Sequence, residues 1–361
     1  MRVLLAGNWQ YEWYEAACAE ALRRLGVEVI PFQFAPFFRG YGGWSYPGRV
    51  EEALPVLPGP ALIRLNRALY RATQRYRPDW VWIWRGTHVL PFTLRVIRQR
   101  TRARLLSYNN DDPFGPRVHG KVPWHHHALW RWYLAGLREF DLVLVFRPVN
   151  VSEALNAGAK QVHVLMPYFV PWIHRPLQLS EEDWRRYECD VVFVGHYEPD
   201  GRDGYIRALI EAGLRVRVFG GEYWNRWAPP DLRRVLGTVR PVYGDDYVKA
   251  LRGAKVALGL LSRLNRDTYT RRHFEIPACG ALLLSERTGD LERIFKDGEE
   301  AVFFSSADEL VQRARELIRA AEKRAGIQEN GRRRVWQDGH DVVSRMREVV
   351  DLLQSALDCG S

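Results

Sequence analysis

A chain of 361 residues, 47% of them hydrophobic, has apolar material for two cores rather than one. No run of roughly eighteen uncharged apolar residues occurs, and the opening MRVLLAGNWQYEW lacks the apolar centre of a signal peptide, so a soluble, cytoplasmic protein is expected. The four cysteines, Cys18, Cys189, Cys279 and Cys359, are far apart with no CxxC pair, which argues against a disulfide framework or zinc site, and the net charge of +10 suits a polyanion, a membrane surface or a phosphorylated ligand without choosing among them.

The first segment reads strand, helix, strand: RVLLAG is a short apolar run, YEWYEAACAEALRRLG has helical spacing closed by Gly26, and VEVIPFQF is β-branched and aromatic. Further strands follow at PDWVWIW, ARLLSYNN, FDLVLVF and QVHVLMPY, each after a helical stretch. The alternation lapses over FVPWIHRPLQLSEEDWRRYE and restarts with CDVVFVG, LRVRVFGG, VRPVYG, KVALGLL, GALLLS and AVFFSS. ADELVQRARELIRAAEKRAG reads as one amphipathic helix and DVVSRMREVVDLLQSAL as another.

Short apolar strands alternating with helices predict parallel sheets covered on both faces. The expectation is α/β: two tandem doubly wound, Rossmann-like domains with an inter-domain cleft. Their bounds are 1–172 for the first domain, a linker at 173–188, a second domain at 189–340, and a terminal helix at 341–361 packing back on the first domain. Fourteen tryptophans are expected mostly to fill cores, although Arg-flanked rings can also stack on sugars or bases.

Ligands of doubly wound sheets bind outside the carboxyl ends of the strands. That rule selects AGNWQYEW, SYNNDDPFG, VGHYEPDGRDG, FGGEYWNRW and LLSRLNRDTYTRRHFE. None carries GxGxxG spacing, and the chain has no GxxxxGK[ST], so hydride transfer and P-loop chemistry lose weight. Gly195, His196 and Gly220 lie where backbone N–H groups can meet a phosphate, with Arg202 on the helix that follows and Ser262 in the fifth loop. Glu275 stands alone in the apolar run of RRHFEIPACGALLLS. It can accept from the vicinal hydroxyls of a ribose while Arg271 or Arg272 meets a diphosphate, or it can pair locally with those arginines on a helix face.

RRHFEIPACGALLL, followed by DGEEAVFF and ADELVQRARELI, resembles the C-terminal half of the spore-maturation-type (CgeB-like) glycosyltransferases, relatives of the large retaining group of GT-B glycosyltransferases. The resemblance covers most of 189–320 and implies that Glu275, five residues before Gly280, binds the nucleotide ribose. The wider group places a Glu eight positions earlier, against the donor sugar; here that position is Asp267. It also carries an Arg and a Lys on the first helix of the donor domain, where this chain offers Arg202.

The resemblance implies a metal-independent, retaining transfer from a nucleoside-diphosphate sugar to an acceptor hydroxyl in surface glycan synthesis, with no cofactor beyond the donor. The absence of Asp-x-Asp agrees with an expectation of no metal. Acceptor activation falls to Asp111 or Asp112, either of which can take a proton or orient the hydroxyl, or can cap the turn ahead of Pro113. The run His125 to His127 is a weaker candidate, more at home facing solvent. The expected partners are a nucleotide-sugar donor and a glycan, lipid-linked or protein acceptor, with peripheral contact to an anionic membrane and no nucleic acid. Rival readings are a GT-B nucleotide-sugar epimerase, a polyanion binder, and an inactive relative that only binds a sugar nucleotide.

Overall fold

A computed structural model of the chain describes residues 1–39, 46–53, 55, 57–116 and 122–358, so Cys359 lies outside the described residues. The chain forms two compact units, Met1–Met166 together with Val342–Ser361, and Pro167–Asp341.

The first unit is built on a parallel sheet of β1 (Arg2–Gly7), β2 (Glu28–Gln33), β3 (Trp80–Trp84), β4 (Arg104–Asn109), β5 (Leu142–Val145) and β6 (Val162–Val164), in the order β2-β1-β3-β4-β5-β6. Every residue of β3 is buried, as an apolar run covered on both faces requires. The direction of travel across the sheet reverses at β1. Right-handed crossovers then put the helices Pro60–Tyr76, Pro91–Arg100 and Trp124–Gly136 on one face and Ala17–Arg24 on the other. Leu62, Leu65, Leu69, Leu94, Ile97, Trp130 and Tyr133 seal the first layer against the sheet. The helix Ala17–Arg24 packs against Val342–Asp358.

The helix expected over YEWYEAACAEALRRLG starts differently. Glu12–Ala16 is a π-helical turn with Tyr14 at a non-helical φ of −105° and ψ of −115°, and it turns Glu15 inward. Gly26 follows the helix at φ 80°, a left-handed conformation that suits glycine.

The second unit has a parallel sheet of β7 (Cys189–Val194), β8 (Val216–Phe219), β9 (Ala254–Gly259), β10 (Leu283–Glu286) and β11 (Val302–Phe304), ordered β11-β10-β9-β7-β8. VRPVYG is not a strand. The Asn225 side chain occupies both backbone groups of Val239, donating to its carbonyl and accepting from its N–H at 2.8 Å each, and Pro241 has no N–H to give a ladder. The helix read over ADELVQRARELIRAAEKRAG breaks at Ala320 (φ −101°, ψ 78°) into Ala307–Arg319 and Ala321–Gln337. The irregular stretch before β7 contains the helix Glu181–Tyr187, opened by a reciprocal Ser180–Asp183 capping box.

Core filling accounts for Trp80, Trp82, Trp84, Trp130 and Trp224, whereas Trp124, Trp184, Trp227 and Trp336 are exposed. Among the described residues, no helix is long and apolar enough to cross a membrane.

Candidate functional site

In the second unit the strand order reverses between β7 and β9, and open α/β sheets take ligands outside the carboxyl ends of the strands at such a point. The loop leaving β7 brings Glu198 against Ser262 of the loop leaving β9. The Ser262 hydroxyl donates to Glu198 Oε2 at 2.5 Å, and the Asn265 backbone N–H donates to Ser262 Oγ at 3.2 Å. Asp267 closes the same loop, its N–H donating to the Ser262 carbonyl at 2.9 Å, so Ser262 and Asp267 are brought together. His196 is largely exposed, with Nε2 2.9 Å from Glu198 Oε1. Burial pushes the Glu198 carboxyl up, but His196, Arg202 and Ser262 outweigh it and hold the group down at about 2.

Arg202 is not an open cation. Its Nε and Nη2 donate to Asp200 at 2.8 and 2.6 Å, Nη2 lies 3.3 Å from Glu198, and Nη1 donates to the His196 carbonyl at 2.7 Å. Two carboxylates thus balance the charge expected to meet a phosphate. The glycines are also committed inward. The Gly195 N–H donates to the Phe219 carbonyl at 2.8 Å, and its carbonyl accepts from Trp224 Nε1 at 2.7 Å. A Cβ on Gly220 would sit 1.9 Å from the Gly195 carbonyl oxygen, so Gly220 is there for close backbone approach rather than to cradle a ligand.

The helix Arg272–Ala278 positions the other expected residues. Glu275 is 2% exposed. Its Oε2 accepts from the Tyr247 hydroxyl at 2.8 Å, and Oε1 lies 3.0 Å from Arg271 Nη2 and 3.7 Å from His174 Nε2. The Arg271 contact is an ion pair without hydrogen-bond alignment, which leaves Oε1 a buried acceptor with no donor. Burial pushes Glu275 up, and the charges of Arg271 and His174 with the Tyr247 hydroxyl outweigh it, so the net shift is downward. The local pairing considered for Glu275 is therefore made with Arg271. Oε2 is already engaged by Tyr247, so Oε1 is the carboxylate oxygen that lacks a donor.

Arg272 behaves differently from its neighbour. Its Nε donates to the carbonyl of Val194, the last residue of β7, and a Cβ on Gly195 would lie 3.2 Å from Nη2. Among the described residues it makes no other hydrogen bond and no ion pair. It is a half-buried guanidinium at the switch point with no carboxylate in ion-pair contact, although its charge reaches Glu275 and helps hold that carboxyl down.

Glu286 completes the rim from the end of β10, accepting the Leu261 N–H at 2.8 Å. Burial, outweighing that bond and Arg263, pushes its carboxyl up. Sequence reasoning passed over Glu198, Glu286, Tyr247 and His174. Glu198 lies in HYEPDGRDG, where the glycines are the stronger local signal, whereas His174 and Tyr247 carry no local signal because only the fold brings them to Glu275.

In the first unit a cavity of about 200 Å³ opens at the carboxyl ends of β1, β3 and β4, lined by Asn8, Tyr14, Glu15, Arg85, His88 and Asp111 among others. Asp111 Oδ2 lies 3.2 Å from Arg85 Nε. Asp112 is absent from this cavity. It is fully buried, and its Oδ1 accepts from the N–H groups of Phe114 and Gly115 at 3.0 and 3.1 Å and from Asn150 Nδ2 at 3.0 Å. These are the contacts of the turn cap considered for the residues ahead of Pro113. His125 and His127 are exposed, and burial lowers His126 against the opposing pull of the Pro113 carbonyl and Asp112.

These two sheets and their connections define the GT-B fold. The sucrose-phosphate synthase of Thermosynechococcus elongatus superposes with a TM-score of 0.71 at 13% identity, over 99% of this chain and 100% of that one. Anabaena HepE, solved with UDP and glucose, superposes at 0.65 and 14% identity over 98% and 100%. The α,α-trehalose 6-phosphate synthase of Burkholderia multivorans does so at 0.62 and 12% over 100% and 99%. Residues 202–351 match the family model described as glycosyl transferase-like. No curated protein matches the chain by sequence.

Proposed function

We propose that the chain is a CgeB-like glycosyltransferase that moves a sugar from a nucleoside-diphosphate sugar to an acceptor hydroxyl, with retention, in surface glycan or glycoconjugate synthesis. The observation that carries this reading is Arg272. It is a guanidinium without a carboxylate partner, held at the β7–β9 switch point on the stretch that matches glycosyl transferase-like proteins. Negative charge grows on a departing nucleoside diphosphate, and a fixed cation aimed at it lowers the barrier without reorganising, each such donor being worth about 3 kcal/mol. The proposed step draws its charge stabilisation from this side chain and needs no metal.

Within this reading Glu275 Oε1 takes one ribose hydroxyl, the buried acceptor gaining the donor it lacks, while Tyr247 and Arg271 fix its position. Ser262 and Asp267, on one tight loop, flank the sugar. Asp111 orients the acceptor hydroxyl from its cavity, and its pairing with Arg85 suits an orienting role better than that of a strong base. Of the solved structures named above, one holds UDP and glucose and the others bear the names of sugar-phosphate synthases, which supports a nucleotide-sugar donor here without fixing its base.

Thermal-shift measurement against UDP, GDP, dTDP, ADP and CMP tests the proposal, because a ligand of the folded state raises its apparent stability. A selective rise with one nucleoside diphosphate, lost in Arg272→Ala, supports it. No rise with any of them removes it.

A further inference from the structure

The charge of the chain is not spread evenly. Between Glu52 and Asp111 there are eleven arginines and one acid, Asp79. Most of those arginines fall on two of the three helices that cover one face of the first sheet, Pro60–Tyr76 and Pro91–Arg100, with Arg131 on the third, Trp124–Gly136, and neighbouring helices of the three are in contact. None of the three contains an Asp or Glu.

Their inward faces are the apolar layer already described, so the arginines take the outer one. On Pro60–Tyr76 the exposed positions Arg64, Arg67, Arg71 and Arg75 recur at three- and four-residue intervals, which is one stripe of a helix. Arg95, Arg98 and Arg100 are exposed on the next helix, and Arg131 on the third. Arg64, Arg67, Arg71, Arg98 and Arg100 have no ion-pair partner among the described residues. The nearby acids are committed elsewhere: Glu139 pairs with Arg95, the Glu51 carboxylate accepts the Leu62 N–H at 3.0 Å, and Asp79 accepts the Arg2 N–H at 2.6 Å.

The same face exposes large apolar side chains. Leu57, just before the first helix, is 76% exposed, Phe92, at the second position of the second helix, 71%, and Trp124, which opens the third, 73%. All three lie where a helix begins, and the second and third helices follow β3 and β4 in the chain. Phe92 and Trp124 therefore lie on the side of the carboxyl ends of the sheet, as the 200 Å³ cavity does, without lining it.

We propose that this three-helix face docks the protein on an anionic lipid bilayer, with the arginines over the headgroups and Phe92 and Trp124 at the interface. A polybasic surface gains from each cation brought near anionic headgroups, and aromatic side chains favour the headgroup region, where one end is apolar and the other wet. Nucleic acid would meet the same charge, but it offers no apolar layer for the exposed Phe92 and Trp124 side chains. This docking goes beyond the transferase reading and does not depend on it. It points the cavity rim toward the bilayer, where a lipid-linked acceptor presents its hydroxyl.

Co-sedimentation of the whole chain with vesicles of phosphatidylcholine alone, and of phosphatidylcholine mixed with phosphatidylglycerol, tests the proposal without any nucleotide sugar. Binding to the mixed vesicles only, weakening as salt rises, is expected. Arg67→Glu with Arg71→Glu should weaken that binding by about tenfold or more, and Phe92→Ser with Trp124→Ser by several-fold at every salt concentration. Unchanged melting of each variant is the control for folding. Equal binding to both vesicle types, no binding to either, or wild-type binding by the arginine variant would overturn the proposal. So would tighter binding to duplex DNA than to vesicles with the Phe92/Trp124 variant unaffected in both, which would make the face a polyanion surface.

Discussion

The Tyr247 hydroxyl donates to Glu275 Oε2 at 2.8 Å, joining the helix Gly244–Arg252 to the helix Arg272–Ala278. Tyr247→Phe removes the donor and leaves a buried carboxylate oxygen unsatisfied, a loss of about 1–3 kcal/mol in folding stability by denaturant titration. Glu275→Ala is expected to abolish turnover of the nucleotide sugar in a protein that still folds. Wild-type kinetics in a folded Glu275→Ala protein would take Glu275 out of the donor site and leave it as the anchor of Arg271.

Arg272 and Arg202 should separate cleanly by substitution. Arg272→Ala removes a cation with no carboxylate partner, so nucleoside diphosphate binding should weaken by about tenfold or more while binding of the uncharged nucleoside changes little. Arg202→Ala strips the partner from Asp200 and Glu198, both largely buried, so its expected effect is on melting rather than on affinity alone. Equal losses for nucleoside and nucleoside diphosphate in Arg272→Ala would exclude a phosphate contact.

Asp111 and Asp112 are adjacent in sequence and opposite in consequence. Asp112→Ala deprives two backbone N–H groups and Asn150 of their acceptor and should lower the melting temperature markedly, whereas Asp112→Asn keeps an oxygen there and should cost less. Asp111→Ala, at a half-exposed pair with Arg85, should leave melting nearly unchanged and slow transfer more than it weakens donor binding. A transfer rate unchanged in Asp111→Ala would remove that residue from the acceptor site.

Sequence pattern was a good guide wherever one physical demand dominated. WVWIW can only be a strand buried on both faces, and the alternation of such runs with helices specifies two doubly wound sheets. It failed where a side chain competed with the backbone. Asn225 takes both polar groups of Val239, so an apolar stretch with strand composition becomes a loop. At the candidate site, Glu275 with Arg271 was readable because four residues separate them on a helix, whereas the pairing of Arg202 with Asp200 competes with the phosphate contact the sequence suggests and shows only in the fold. Tyr247 and His174 reach Glu275 only through the packing of the second unit, and no spacing in the chain encodes that meeting. The choice between cap and base at Asp112 needed the Asn150 amide, which comes from 38 residues further along.

The buried histidines set an acid limit on stability. Burial holds His88, His174 and His273 at about 4, against an ordinary value of 6.5. For His88 the Glu52 carbonyl opposes that effect and Arg85 adds to it; for His174 Glu275 opposes it and Arg271 adds to it; for His273 the Thr270 carbonyl opposes it and Arg272 adds to it. The unfolded chain therefore takes up protons between pH 6.5 and 4 that the folded chain refuses. Their contribution is present in full above pH 6.5 and is lost as the pH falls toward 4, at roughly 3 kcal/mol for each histidine. Glu275, shifted downward, keeps its contribution down to the ordinary carboxylate value of 4.5 and loses it below that. Calorimetry from pH 8 to 4 should show melting nearly constant at the alkaline end and falling steeply below about 6.5. His174→Gln, which cannot titrate, should lessen that fall relative to wild type whatever it does to the plateau. A melting temperature independent of pH between 6.5 and 4 would show that these imidazoles carry their protons in the folded chain.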